Sequence, residues 1–144
     1  MAERNAELRP EMTWLVMDIT DMSAFDSNTF DLAIDKSTID ALLCGENAFE
    51  KVSFMLKETQ RVLRTGGSYF AISYGRPEGR AFHFEQPFLS LENRQVILLD
   101  PTAETEQEKK DRAHYVYISK KLPDADEVSD FEFVKHIERM RVQE

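Results

Sequence analysis

Residues 30–49, FDLAIDKSTIDALLCGENAF, decide how this chain is read. The apolar run from Phe30 to Ile34 stops at Asp35, and a short run bounded by polar residues predicts a strand within a sheet. After Lys36 the period changes. Ile39, Leu42 and Leu43 are spaced for one buried helical face, with Ser37 or Thr38 available as the N-cap and Gly45 as the stop.

Working outward, MTWLVM (12–17) is apolar throughout, as expected of a strand buried on both faces, and it also ends in a carboxylate, Asp18. DITDMSAFDSNTF (18–30) between the two runs reads as a polar loop with a short turn around 23–25. From Asn47 onward Val52, Met55, Leu56, Thr59, Val62 and Leu63 recur every three or four residues, which predicts a longer amphipathic helix stopped by Gly66 and Gly67. YFAIS (69–73) is the next strand, and a helical connection between strands favours parallel pairing. YGRPEGR (74–80) reads as a loop. QVILL (95–99) and HYVYIS (114–119), separated by the charged TAETEQEKKDR (102–112), read as a long antiparallel hairpin around a solvated loop. In 124–144, Val128, Phe131, Val134, Ile137 and Met140 stand every third residue and predict a C-terminal amphipathic helix packed on its own domain. The expected fold is α/β: a truncated Rossmann-like sheet of parallel strands with an antiparallel terminal hairpin and helices on the faces, in one domain over 1–144.

At 144 residues and 42% hydrophobic content the chain holds one core. Its net charge of -9, from 27 acidic and 18 basic residues, argues against nucleic acid or a membrane surface as partner and fits a protein partner or substrate. The single cysteine, Cys44, cannot form an internal disulfide and reads as an inert, partly buried thiol. No apolar run approaches the ~20 residues of a membrane helix, and residues 1–9 lack the pattern of a secretory or organellar leader, so a cytoplasmic location is expected.

The succession of a strand closed by an acid, a loop, FDLAIDKSTIDALLCGENAF, a helix ending RVLRTGG and the strand SYFAISYG resembles the motifs of class I S-adenosylmethionine-dependent methyltransferases. DKSTIDAL is narrower: it resembles the DKGTLDAL-type signature of the methyltransferase-like subfamily that includes lysine methyltransferases acting on translation elongation factor 1A. The likeness runs from about Met12 to about Ile118. It implies S-adenosylmethionine as cofactor, with Asp18 accepting a hydrogen bond from the adenine amino group and the backbone of Ile19 along the ring edge. It also implies that Asp35 and Lys36 stand at the mouth of the site, beside the cofactor's methionine portion and the substrate. Ligands of open parallel sheets do bind outside the carboxyl ends of the strands. The plainer reading of Asp18 and Asp35 is as turn formers or helix N-caps.

Tyr74 and Arg76, with His83 and Phe84 beyond them, follow the fifth strand of that family, where a substrate-facing loop is expected. Asp40 is a secondary candidate for substrate contact, whereas Asp31 reads as structural. His83 reads as a packed or surface histidine, and His114 and His136 as surface residues of a strand and a helix. There is no metal-ligand spacing, G-x-S-x-G elbow or phosphate-binding Gly-Lys-Ser/Thr loop in the sequence.

Family members begin with a strand, a G-x-G-x-G turn, a helix and a second strand ending in an acid that binds the cofactor ribose. The eleven residues before MTWLVM contain no glycine, and the first glycine of the chain is Gly45. In the family order 3-2-1-4-5-7-6 this leaves one edge of FDLAID unpaired, so either MTWLVM pairs with it directly or two chains associate there. Three readings are open. One is a protein-lysine methyltransferase inactive as this chain alone; another is a non-catalytic interaction module, as an edge-paired homodimer; the third binds S-adenosylmethionine in a rearranged pocket.

Overall fold

A computed structural model describes residues 7–98, 102–125 and 130–143. Four strands, β1 (Phe30–Lys36), β2 (Leu63–Ser73), β3 (Leu91–Leu98) and β4 (His114–Lys121), form one sheet in the order β1-β2-β4-β3. β1 and β2 are parallel, with Leu32 opposite Ser68 and Lys36 opposite Ile72. β4 is antiparallel to both β2 and β3. This is the 4-5-7-6 portion of the order expected from the sequence, with the antiparallel pair at the end of the sheet.

Two helices, α1 (Thr38–Leu43) and α2 (Ala48–Val62), make the crossover between the parallel strands. α2 buries Val52, Met55, Leu56 and Val62, most of the stripe read from the sequence. Val52, Met55 and Leu56 form the main core with Ile39, Leu63, Tyr69, Ala71, Phe84 and Tyr117. The stop of α2 differs from expectation. The chain enters β2 at Leu63, and Gly66 and Gly67 lie inside that strand, where the register with β1 shifts. A Cβ on Gly67 would stand 2.8 Å from the Arg64 carbonyl oxygen and 3.1 Å from that of Asp31, so the close approach of two backbones requires glycine there. Beside this shift Asp31 pairs with Arg64 at 2.9 Å, an exposed and therefore weak ion pair.

MTWLVM forms no strand. Residues 13–18 have no regular structure, and Leu15 and Val16 are exposed. An extended segment becomes a strand only by bonding to a neighbour. In the expected order two strands separate this segment from β1, and β1 is an edge strand among the described residues. The loop beyond it, from Met22 to Phe25, is anchored from α2. The Met22 amide donates to Glu58 Oε2 at 2.7 Å, and Arg61 donates to the carbonyls of Met22 and Phe25 at 2.9 Å each. The Arg61 guanidinium holds the Glu58 carboxyl below its ordinary range, so the latch stays charged at neutral pH.

Two helices escape the sequence reading. The YGRPEGR loop gives way to α3 (Pro77–Phe84), which starts with proline at its first turn, where the missing N–H is no loss. The charged stretch holds a short α4 (Glu106–Asp111), started by a capping box between Thr105 and Glu108. The last helix, α5 (Asp130–Gln143), does pack on the domain: Phe133 and Ile137 join Phe88 in a second core cluster, flanked by Phe54, Leu89 and Met140. Its buried face therefore runs through 133, 137 and 140. Phe131 and Val134 are exposed, because a strict spacing of three drifts round a 3.6-residue turn. Val128 and Leu99, the latter the end of the expected QVILL strand, lie outside the described residues. Among the described residues no helix is long and apolar enough to cross a membrane.

Candidate functional site

Because β1 and β2 run parallel, their carboxyl ends bring Asp35, Lys36, Ser73 and Tyr74 to one rim of the sheet. Asp35 is 8% exposed and turns into the chain. Its Oδ1 accepts from the Thr38 amide at 2.7 Å, and its Oδ2 accepts from the Ile39 amide at 3.2 Å and the Tyr69 hydroxyl at 3.0 Å. It thus caps α1. Neither Ser37 nor Thr38 does so, since Ser37 has φ 64° and makes no side-chain cap. Burial, then the charge of Asp35, raises the Tyr69 hydroxyl well above its ordinary pKa, so it remains a donor to that carboxylate. Lys36 follows with its side chain exposed.

Asp40 is the hub that the sequence left secondary. Its Oδ1 accepts from Ser73 Oγ at 2.5 Å and from Arg80 Nη2 at 2.9 Å, and its Oδ2 accepts from the Tyr74 amide at 3.1 Å. Burial pushes its pKa upward, but these hydrogen bonds from Ser73, Arg80 and Tyr74 outweigh it and hold the carboxyl below its ordinary value. The network fixes the turn after β2. Tyr117 donates its hydroxyl to the Gly75 carbonyl at 2.6 Å, and the Tyr74 ring, itself exposed, lies 4.5 Å from that of His114. Arg76 is exposed at the N-cap position of α3. Arg80 carried no signal in the sequence beyond its place three residues after Pro77, one helical turn into α3.

Asp18 is bonded within its own turn and not to the side chains of this rim. It lies in an exposed turn, where its Oδ1 accepts from the Thr20 amide at 2.9 Å and the Thr20 hydroxyl at 2.7 Å, bonds that lower its pKa. Among the described residues no hydrogen bond or ion pair joins it to Asp35. Ile19 is half-buried against the main core. Thr20, with Asn47, Glu50, Lys51, Phe54 and Arg141, lines an open cleft of about 430 Å³.

A nucleoside cofactor of the expected kind needs backbone amides on a glycine turn close to the rim. Of the five glycines, Gly66 and Gly67 sit toward the amino end of β2, the end away from Asp35. Gly75 is at the rim, but a Cβ there would fall 2.3 Å from Arg80 Nε, so the arginine side chain already fills that approach. Asp35 has both oxygens engaged by the chain. Neither Gly75 nor Asp35 is therefore free to meet a cofactor at this rim. Among the described residues there is also no group of three or more His, Cys, Asp or Glu that could hold a metal.

Cys44 departs from the sequence reading, whereas His83 takes the packed one of the two places read for it. Cys44, at the C-cap of α1, is exposed. His83 is 3% exposed, its ring stacked on Phe49 at 5.5 Å, and its Nε2 has no hydrogen-bond partner. Burial, then the nearby charges of Arg80 and His136, push its pKa down to about 4, so the ring is neutral at physiological pH. His136 is half-buried, with Nε2 3.0 Å from Ser53 Oγ, rather than a simple surface residue.

Residues 1–71 match a methyltransferase domain family. A bovine (Bos taurus) eEF1A lysine and N-terminal methyltransferase is 45% identical over 75 residues, covering 51% of this chain and 11% of that protein. The mouse (Mus musculus) EEF1A lysine methyltransferase 4 is 31% identical over 85 residues, 54% of this chain and 33% of that protein. The chain thus spans only a minor part of the relatives it matches. A SAM-dependent methyltransferase from Methanosarcina mazei superposes with a TM-score of 0.54 at 16% identity, over 83% of this chain and 76% of its own. A putative DNA modification methylase from Thermus thermophilus, solved with S-adenosyl-L-methionine, superposes with a TM-score of 0.52 at 18% identity, over 74% of this chain and 52% of its own. Identities this low speak for the fold alone. Residues 1–71 are thus similar to a methyltransferase domain, and the chain has the Rossmann-like fold of the S-adenosylmethionine-dependent methyltransferases on which it superposes.

Proposed function

We propose that this chain carries the carboxyl-terminal two-thirds of an S-adenosylmethionine-dependent methyltransferase of protein lysine, acting in the cytoplasm on a translation-factor type of substrate, and that alone it transfers no methyl group. The observation that carries this reading is the 45% identity over 75 residues to a protein named for that activity. The rim at the ends of β1 and β2 supports it. Lys36, Tyr74 and Arg76 are exposed there and would meet the substrate, while Asp35 shapes the turn that presents them. Asp18 and Ile19 would meet the adenine in a pocket that also needs a G-x-G-x-G turn, a motif that does not occur in these 144 residues. In a completed enzyme the protein's part is positional: holding a deprotonated amine in line with the methyl donor and excluding water. Calorimetric titration of the chain with S-adenosylmethionine is expected to show no binding in the micromolar range; a micromolar dissociation constant would overturn the reading of the chain as incomplete.

A specific feature favours a second reading, an interaction module that pairs with a copy of itself. β1 is an edge strand among the described residues, and Leu32, Ile34, Leu15 and Val16 are exposed beside or before it. Unprotected apolar edges associate. Sedimentation equilibrium is expected to show a dimer that dissociates when Ile34 is replaced by lysine and that ignores S-adenosylmethionine. A strictly monomeric wild-type chain would remove this reading.

A further inference from the structure

α2, α3 and α5 enclose a second cavity of about 430 Å³, lined by Phe49, Ser53, Phe82, His83, Gln86, His136 and Met140. Its walls and its polar groups are of different kinds. Phe49 and Phe82 flank the His83 imidazole, with centroids 5.5 and 3.9 Å from it, yet each ring is itself more than two-fifths exposed. Large apolar rings left in water around a cavity of this volume are the usual lining of a small-molecule site.

The polar groups narrow the occupant. Ser53 Oγ donates to the Phe49 carbonyl at 2.9 Å, so its contact with His136 Nε2 is one in which the imidazole donates. Gln86 spends an amide hydrogen on the Phe82 carbonyl at 2.7 Å. That leaves His83 Nε2, a buried nitrogen with no partner in the wall of the cavity. An orphaned buried nitrogen costs stability unless something outside the chain meets it. Arg80 and Arg139 stand near the two histidines and disfavour added positive charge.

We infer that this cavity binds a small, uncharged, planar aromatic molecule with one ring N–H or O–H, which packs against the exposed faces of Phe49 and Phe82 and donates to His83 Nε2. The neutral imidazole accepts at Nε2 when its proton sits on Nδ1. Exposed phenylalanine rings turn on a fast timescale, so Phe82 can swing outward to open the imidazole edge. The site belongs to the faces of three helices and uses none of Asp18, Ile19, Asp35, Lys36, Tyr74 and Arg76.

Indole and indene test this, since they share shape and differ in the N–H. Ligand-observed NMR titrations of the full chain are expected to show saturable binding of indole about tenfold tighter than of indene. His83→Phe should bring the two affinities together without loss of the far-UV circular dichroism spectrum. Should that variant fail to fold, wild-type protein with nitrogen-15 in its histidines carries the same test: indole should shift the His83 Nε2 resonance and indene should not. Equal affinities in the wild type, no saturable binding of either compound, or an unmoved His83 resonance would overturn the assignment.

Discussion

Acidification from pH 7 will cost the fold about 2 kcal/mol by pH 5 and about 3 kcal/mol by pH 4, chiefly through His83. The imidazole titrates near 6.5 in the unfolded chain and at about 4 in the folded one. Between those values the unfolded state binds a proton that the native state refuses. The stability is therefore complete above the unfolded value, falls as pH drops toward the folded value, and is flat with respect to this group below it. His136, lowered first by burial, adds to the loss with the same sign. The carboxylates with lowered pKa, Asp40, Glu58 and Asp130 among them, lose their contributions only below their own unfolded values of 3.8 to 4.5. The interval from pH 6.5 to pH 5 thus belongs to the histidines. Urea titrations at half-unit steps should show a falling midpoint through it in the wild type and a much shallower fall in His83→Phe. A flat wild-type profile would mean that the ring is charged or solvated in the folded protein.

Replacing Asp35 by alanine will destabilise the fold by about 3 kcal/mol. The carboxylate accepts from two amides that open α1 and from the buried Tyr69 hydroxyl, and alanine leaves all three donors without it. The first two groups lose a helix cap; the third becomes a buried, unmet hydroxyl in the main core. Asp35→Asn keeps one acceptor oxygen and should fall between wild type and alanine. Asp18→Ala is the control, because that carboxylate serves only its own exposed turn. Denaturant midpoints at a constant m-value measure all three. If Asp18→Ala moved the midpoint as far as Asp35→Ala, the assignment of Asp35 as the structural carboxylate would fail.

The two acids looked alike in the sequence, each closing an apolar run, and the structure separates them. What made β1 a strand was a neighbour, β2, reachable through two amphipathic helices whose spacing was plain in Ile39, Leu42 and the stripe of α2. What kept MTWLVM from becoming one was the lack of any neighbour among the described residues, a condition that its own apolar character cannot reveal. The hairpin was legible because HYVYIS and QVILL are rich in β-branched and aromatic residues. α3 was not, because glycine and proline in GRPEG signal a turn, and only the apolar Phe82 and Phe84 later in the segment balance them. α5 was placed but rotated: the eye tracks a spacing of three, while burial selected Phe133, Ile137 and Met140.

Of the candidate site, the rim at Asp35, Lys36 and Tyr74 could be anticipated, since parallel strands present their ends together. Asp40 could not be raised above a secondary candidate without knowing that Arg80 folds back from α3 to meet it. His83 could be read only as packed or surface, for a similar reason. A histidine between two phenylalanines is as common on a surface as in a core, and only the arrival of α2 with Phe49 decides the matter.

β4 is the latest strand in the chain yet lies between β2 and β3, and β3 bonds to no other strand among the described residues. The sheet therefore cannot assemble by simple accretion from the amino end. β3 can pair only once β4 has been made, and the two are near neighbours along the chain, with Leu98 facing His114. The distant contact is β4 on β2, where Ser73 faces Tyr115, and pairing across that separation carries a larger loop-closure cost than the β3–β4 hairpin or any of the helices.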